Sequence, residues 1–142
     1  MQTGVEILEL IPQRPPVVLV DRFRGIDGEG VSHTEFVVAP ACLFWEEGRL
    51  TECGLIEHMA QSAAARAGWL ARQQGRDVAL GYIGSVGRFR VAAFPPAGSR
   101  LETTIRVVQE VFNVSLVKAT TCVDGEVAAE GELKIFLDDA AE

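Results

Sequence analysis

Apolar positions along the chain follow a short period near both ends and a longer period in the middle. Residues 17–23 and 31–38 are rich in β-branched and other apolar side chains, and residues 26–30 between them contain Asp and Gly, which favour a turn. This pattern predicts an antiparallel hairpin. Before it, residues 5–11 predict a short helical turn that ends at Pro12, because proline cannot continue a helix.

The middle of the chain has the apolar spacing of one long helix, from residue 51 to about residue 74. Thr51 is predicted to cap its N-terminus, where Glu52 also suits the positive end of the helix dipole. Gly75 is predicted to end it. Many of the apolar positions are alanines, so we expect the rest of the protein to surround this helix closely. These positions are Leu55, Ile56, Met59, Ala60, Ala63, Ala64 and Ala67.

Four more strands are predicted after the helix, whereas residues 39–50 before it are expected to be irregular. Asp124 and Gly125 are a strong hairpin signal, because both residue types tolerate positive φ. The order of hairpin, long helix and antiparallel meander predicts a single α+β domain over residues 1–142, with the helix packed on or inside a curved sheet. The four strands are residues 78–86, Arg100–Val111, Val114–Val123 and 126–137.

Composition and charge narrow the class of function. Of the 142 residues 48% are apolar and 23% are charged, as in an ordinary soluble domain. The net charge is −7 without a basic run, so nucleic acid is not an expected partner. The first residues do not resemble a signal peptide and no apolar run is long enough to span a bilayer, so we expect a cytoplasmic protein. Cys42, Cys53 and Cys122 lack CxxC spacing, which predicts free thiols and no metal site.

Four segments of the chain carry motifs that one protein family contains in the same order and without large gaps between them. They are residues 11–23 (Ile-Pro-Gln-Arg-Pro-Pro-Val-Val-Leu-Val-Asp-Arg-Phe), residues 54–61 (Gly-Leu-Ile-Glu-His-Met-Ala-Gln), Arg88-Phe89-Arg90 with Pro96 and Leu101 after it, and residues 126–137. Together they resemble the β-hydroxyacyl-acyl-carrier-protein dehydratases over roughly residues 7–137. The resemblance implies a hotdog fold, in which a curved antiparallel sheet wraps a long central helix.

The same resemblance implies a chemistry. Such dehydratases are dimers with active sites at the subunit interface, and their substrate is an acyl chain carried on the phosphopantetheine of an acyl carrier protein, without a further cofactor. They remove water across carbons 2 and 3 of a 3-hydroxyacyl thioester. A histidine from the loop before the helix takes the C2 proton, and an acidic residue on the helix helps the hydroxyl leave. Glu57 occupies the position of that acid.

The family's histidine is not found at its usual place. It stands in a His-Phe-Pro-Gly stretch, and counting back from Glu57 that place reads Leu43-Phe44-Trp45-Glu46. Leucine cannot accept a proton, and losing a positioned general base typically costs about 10²–10⁴ in rate. The chain is therefore a divergent member of the resembled family, with half of the usual catalytic pair.

Few other residues can replace the base. His58 is next to Glu57 in sequence, so it points about 100° away around the helix; it is retained as a catalytic candidate. His33 is interpreted as an ordinary polar residue on a strand. Glu46 and Glu47 can supply a carboxylate, although an exposed acidic turn is the simpler interpretation.

Several residues are predicted to surround Glu57, which is either a helix-surface residue or a carboxylate partly desolvated by its apolar neighbours. Gln61 lies one turn further along the helix, within reach of its carboxylate. Gly54 offers either a free N–H for the thioester carbonyl or a site of close packing. Phe44 and Phe89 are candidates for the wall of a substrate tunnel.

Arg88 and Arg90 are two residues apart on a predicted strand, so both should lie on one face. Because carrier proteins of this type are acidic, this pair is a candidate docking site, and the alternative is a solvated strand face.

Three functions remain open. The first is a dehydratase-like enzyme for acyl thioesters in fatty-acid-like, polyene or other secondary lipid biosynthesis. The second is a non-catalytic subunit that binds the acyl carrier or completes a heterodimer with another hotdog chain. The third is a hotdog thioesterase, which needs only a helix carboxylate such as Glu57.

Overall fold

The computed structural model of the chain describes residues 6–15, 17–39, 44–76 and 80–138. Its elements in chain order are a 3-10 helix Ile7–Glu9, strands β1 Arg22–Ile26, β2 Ser32–Val37, β3 Trp45–Glu46 and β4 Arg49–Leu50, helix α1 Glu52–Gln73, and strands β5 Leu80–Val91, β6 Arg100–Val111, β7 Val114–Val123 and β8 Glu126–Asp138.

Six strands form one sheet in the order β1-β2-β6-β7-β8-β5, and every neighbouring pair is antiparallel. The strands β3 and β4 form a separate small hairpin just before the helix. The helix α1 packs on the sheet and contacts β6, β1, β5, β7 and β2. This single long helix on a curved antiparallel sheet is the predicted α+β architecture.

The helix begins and ends within one residue of the predicted positions. Thr51 has an extended backbone and its Oγ1 accepts a hydrogen bond from the Gly54 N–H at 3.1 Å, which satisfies one of the donors that a helix N-terminus leaves unpaired. At the other end Gln74 is the C-cap, and Gly75 follows with a φ of +70°, a conformation that glycine adopts without strain.

The core lies between the helix and the inward-facing residues of the central strands. Alternate residues of β6 and β7 face the helix, as a strand with period two requires. They pack on the buried helix residues Leu55, Met59 and Ala63. The inward residues of these two strands include Leu101, Thr103, Ile105, Val117, Ala119 and Thr121.

The predicted hairpin between β7 and β8 is confirmed. Asp124 and Gly125 have φ angles of 53° and 80°, which is the left-handed conformation required at both central positions of a type I′ turn.

The prediction of a strand over residues 17–23 is wrong for most of that segment, because β1 begins only at Arg22. The backbone of Leu19 does not pair with a strand. Its N–H donates to Gln61 Oε1 at 2.6 Å and its carbonyl oxygen lies 2.7 Å from His58 Nδ1. Helix side chains thus take the place of a β-ladder here.

Two further elements differ from the prediction. Strand β5 continues to Val91 instead of ending at residue 86, and the predicted start at residue 78 lies outside the described residues. Residues 39–50 contain the hairpin β3–β4, which is attached through a hydrogen bond from the Thr51 N–H to the Phe44 carbonyl at 2.9 Å.

Close contact between the N-terminal segment and the helix explains a glycine inside α1. A Cβ atom at Gly68 would lie 1.9 Å from the carbonyl oxygen of Leu10, which is fully buried. No larger residue fits this crossing unless the N-terminal segment moves.

We expect Gly68→Ala to lower the free energy of unfolding by about 1–3 kcal/mol, the usual cost of an overpacked site. This cost should exceed the stabilisation of roughly 0.5–1 kcal/mol that alanine provides over glycine inside a helix. Urea unfolding measures the change. Gly28→Ala is the matched control, because a Cβ there meets nothing within 4 Å, and it should change the free energy by less than about 0.5 kcal/mol. Equal stability of both variants would contradict the proposed contact.

Candidate active site

Glu57 lies in the second turn of α1, where its side chain is half-buried. Its Oε2 accepts a hydrogen bond from Gln61 Nε2 at 2.8 Å, as expected for residues four apart on a helix. Among the described residues no donor bonds to Oε1. One oxygen of this carboxylate is therefore fixed by the protein, and the other remains available to a substrate.

Gln61 is fully buried, and both hydrogens of its amide nitrogen and its amide oxygen take part in hydrogen bonds. Besides Glu57, its Nε2 donates to the carbonyl oxygen of Val17 at 2.5 Å, and its Oε1 accepts from the N–H of Leu19 at 2.6 Å. The reach from Gln61 to Glu57 that the sequence predicted is present in the structure. The additional attachment to residues 17–19 was not predicted.

His58 is also fully buried, on a different side of the helix from Glu57, and its ring stacks on Phe36 with centroids 5.7 Å apart. Its Nδ1 lies 2.7 Å from the Leu19 carbonyl oxygen and its Nε2 lies 2.6 Å from Thr103 Oγ1. Both ring nitrogens are occupied within the protein. This geometry argues against His58 as the replacement base and favours a structural role.

Burial lowers the pKa of His58 from 6.5 to about 4, and the hydrogen bond to the Leu19 backbone opposes this shift only in part. The ring is therefore neutral near pH 7. Because the Leu19 carbonyl can only accept, the ring proton lies on Nδ1, and Nε2 accepts from the Thr103 hydroxyl. Thr103 in turn accepts from Thr121, whose Oγ1 is 2.7 Å away.

This buried polar cluster was missed by sequence reasoning, although a signal was available. Thr103 and Thr121 occupy inward positions on β6 and β7, where apolar side chains are the rule. Thr34 is likewise buried, with its Oγ1 2.7 Å from Ser62 Oγ. Hydroxyls at inward positions indicate a polar partner on the helix that packs against them.

The other candidate bases lie in turns. His33 Nε2 is 2.8 Å from Asp27 Oδ2, in a pair that supports the β1–β2 turn. Hydrogen bonds from His33 and from the backbone of Val31 and Glu29 lower the pKa of Asp27 to about 2. Glu46 and Glu47 are exposed at the β3–β4 turn, as the acidic-turn interpretation predicted. Leu43, at the family's histidine position, lies outside the described residues.

Gly54 does not offer the free N–H that the sequence suggested, because that group donates to Thr51 Oγ1. The alternative of close packing agrees with the structure. A Cβ at Gly54 would lie 2.6 Å from Leu50 Cδ1 and 2.7 Å from Phe44 Cβ. Phe44 is half-buried here, and Phe89 packs on the core beside Gly131, so both contribute to apolar walls.

A groove of about 250 Å³ runs between α1 and the sheet, near the lower end of the size of ligand pockets, about 300 Å³. The helix lines it with small residues, starting at Ala60, which is less than one turn beyond Glu57. Its other apolar residues are Pro12, Ala63, Ala64, Ala67, Leu70, Ile83, Val107, Val117 and Ile135. The alanines of α1 thus leave space along the helix as well as permitting close packing.

Arg88 and Arg90 do not form a simple positive face. The strand has a register irregularity between Gly87 and Arg90, and Arg88 has a φ of 50°. Arg90 pairs with Glu130, and Arg88 lies 4.0 Å from Glu132. Two arginines and two glutamates cancel in formal charge, which weakens the electrostatic attraction that the docking hypothesis requires.

Among the described residues there is no group of three or more His, Cys, Asp or Glu side chains arranged to hold a metal ion. Cys53 is exposed and Cys122 half-buried, both as free thiols, and Cys42 lies outside the described residues. Within the described part of the chain, no helix is both long and apolar enough to cross a membrane.

Comparison with known proteins agrees with this fold. The dehydratase FabZ of Ligilactobacillus salivarius, a 3-hydroxyacyl-(acyl-carrier-protein) dehydratase, is 32% identical over 137 residues, which cover 93% of this chain and 96% of that protein. The FabZ of Ruminiclostridium cellulolyticum is 29% identical over 147 residues, covering 99% and 100% respectively.

Two solved structures are similar in fold. The dehydratase heterocomplex ApeI:P from Xenorhabdus doucetiae has a TM-score of 0.89 at 18% identity and covers 99% of this chain and 95% of that chain. Protein PH1136 from Pyrococcus horikoshii has a TM-score of 0.70 at 13% identity and covers 98% and 95%.

The architecture and the FabZ relatives together define a hotdog protein of the dehydratase type. Residues 5–142 match the model of the ApeP-like family, described as ApeP dehydratase. The chain belongs to this family.

The buried His58 predicts a stability that falls with acid. The unfolded chain binds a proton at this histidine below a pKa of about 6.5, whereas the folded chain binds it only below about 4. Stability is therefore fully present above pH 6.5 and decreases as the pH falls towards 4, by about 3 kcal/mol in total.

Urea unfolding at pH 7 and at pH 4.5 measures this change. His58→Asn cannot titrate, so it should lose about 2–3 kcal/mol less than the wild type over the same interval. Carboxylates such as Asp27 contribute equally to both proteins and cancel in the difference. Identical pH profiles would contradict a buried neutral His58.

Proposed function

We propose that this chain provides the acid half of a dehydratase site, and that a second hotdog chain provides the histidine base. The observation that carries the proposal is Glu57 itself, which Gln61 holds by one oxygen while the other oxygen stays available. The two histidines of the sequence are engaged elsewhere, His58 in the core and His33 with Asp27. Glu57 thus has the position of a catalytic acid, but neither histidine of this chain is free to act as its base. This arrangement favours a composite site, in which the base comes from a second chain.

The proposed reaction divides between the two groups. The partner's histidine removes the proton from C2 of a 3-hydroxyacyl thioester, the C3–O bond breaks, and the carboxyl of Glu57 delivers a proton to the departing hydroxyl. The products are the 2,3-enoyl thioester and water. The proton taken by the histidine then returns to Glu57, which restores both groups.

The free edge of the sheet supports a second chain. Strand β5 is an edge strand, so part of its backbone N–H and C=O groups is left without a neighbouring strand. Its apolar residues Ile83 and Val86 are 39% and 37% exposed. The solved ApeI:P heterocomplex, to which this fold is similar, is by its name a complex of two different dehydratase chains.

The substrate class follows from the family and the groove. FabZ relatives act, by their names, on 3-hydroxyacyl groups of an acyl carrier protein. We propose the same carrier-bound class here, with the phosphopantetheine arm near Glu57 and the acyl chain in the groove that starts at Ala60. The reaction would serve fatty-acid-like or polyene and other secondary lipid synthesis in the cytoplasm. Docking of the carrier through Arg88 and Arg90 remains part of this proposal.

The test uses this chain purified together with a hotdog chain from the same genome that contains the loop histidine. Interconversion of a 3-hydroxyacyl thioester and its enoyl product is followed in the complex. The partner's own helix acid is first replaced by its amide, so that only the composite site can act. Glu57→Gln should then lower the rate by about 10²–10⁴, the usual contribution of a general acid.

Glu29→Gln is the matched control, since it makes the same change from carboxylate to amide at an exposed residue of the β1–β2 turn, and it should leave the rate within about twofold. An unchanged rate in Glu57→Gln would show that Glu57 is not the acid. Release of free thiol in place of dehydration would support the thioesterase alternative. Carrier binding without any turnover would support the non-catalytic subunit.

A further inference from the structure

We infer that His58 is a positioning residue for Glu57, acting through the backbone of Leu19 and the side chain of Gln61. This inference rests on the proposed role of Glu57 as the acid. It assigns a task to a buried histidine that touches neither the substrate groove nor the carboxylate itself.

The first step fixes Leu19. The Nδ1–H of His58 donates to the Leu19 carbonyl oxygen at 2.7 Å, while its Nε2 accepts from Thr103 at 2.6 Å. The ring is held at both ends and is fully buried, so water does not compete for these bonds. The carbonyl group of Leu19 is therefore held against the helix, which limits the positions open to the N–H of the same residue, one peptide plane earlier.

The second step fixes the amide of Gln61. The Leu19 N–H is a donor only, and it lies 2.6 Å from one atom of the Gln61 amide. That atom must be the oxygen, because an NH₂ group there would face an N–H. The nitrogen of the amide is thereby turned towards the opposite side.

The third step holds the carboxylate. The Gln61 Nε2 has two hydrogens, and it donates to Val17 O at 2.5 Å and to Glu57 Oε2 at 2.8 Å. A reversed amide would direct its oxygen at a carbonyl and a carboxylate, two acceptors that repel it. The rotamer of Glu57 thus depends on a series of hydrogen bonds from His58 through Leu19 and Gln61. His58 and Glu57 are not bonded directly to each other in this series.

Two substitutions of His58 by an amide residue distinguish a positioning role from a general contribution to folding. In His58→Asn the side-chain NH₂ can occupy the place of Nδ1 and donate to Leu19. In His58→Gln the amide extends to the place of Nε2, near Thr103, and the donor to Leu19 is lost. Thr34→Val is the control, because it removes a buried hydroxyl that bonds to Ser62 Oγ and to the Thr103 backbone carbonyl, and not to Leu19, Gln61 or the His58 ring.

The first readout is catalytic and uses the complex with the histidine-bearing partner. We expect kcat of His58→Gln to fall by about 10- to 100-fold with KM within about twofold, because the acid is misplaced in a site that still binds. His58→Asn should stay within about threefold of wild type, and so should Thr34→Val after correction for unfolded protein.

The second readout needs no activity. Hydrogen exchange of the Leu19 amide should be about tenfold faster in His58→Gln than in Thr34→Val, and close to wild type in His58→Asn. In the wild-type protein, ¹⁵N NMR of the His58 ring should show the proton on Nδ1. This NMR measurement uses the wild-type protein alone, so it tests the inference even if His58→Gln does not fold.

Either of two results overturns the inference: equal kcat and equal Leu19 exchange in the Asn and Gln variants, or a wild-type ring with its proton on Nε2. Failure of the proposed function looks different. The wild-type complex would then show no dehydration, or Glu57→Gln would leave it unchanged, while the exchange and NMR results would still decide whether His58 orders Leu19 and Gln61.

Discussion

The face of a helix that packs into a curved sheet has little access to water, so each polar side chain on that face must find its partner inside the protein. This constraint organises the region around Glu57. His58 and Gln61 meet it by bonding to the backbone of residues 17–19. The hydroxyl of Thr103 on β6 bonds to His58, and that of Thr121 on β7 bonds to Thr103. Residues 17–19 are thus attached to the helix by side chains, and Glu57 Oε1 has no hydrogen-bond donor within the part of the chain that the structure describes.

The strands and the helix follow closely from local sequence because their signals are local. Thr51 and Gly75 mark the helix ends, and Asp124-Gly125 marks the hairpin, through backbone preferences that need no distant partner. The bounds of β6 and β7 were predicted to the residue for the same reason. The family of the chain was also accessible, because its motifs around Glu57 and Gln61 lie within eight consecutive residues.

The errors have the opposite cause, since they depend on contacts between residues distant in sequence. Residues 17–21 have strand composition, but Leu19 is held by residues about forty positions away. Gly54 is an exception, because the group that takes its N–H is local: Thr51 Oγ1, three residues earlier, accepts that hydrogen bond, so the N–H is not free for a thioester carbonyl. The environment of His58 required knowing which residues of β6 lie opposite that turn of the helix.

Strand β5, which pairs with β8 on one side only, has a consequence for how the protein must be produced. Twelve residues at a sheet edge, with apolar side chains partly exposed, form a template to which any extended segment can add, including the β5 of an identical chain. A cell that makes this chain in excess would accumulate an aggregation-prone species. We therefore expect its synthesis to be matched in amount and timing to whatever chain covers that edge, so that the proteostasis machinery never encounters it alone for long.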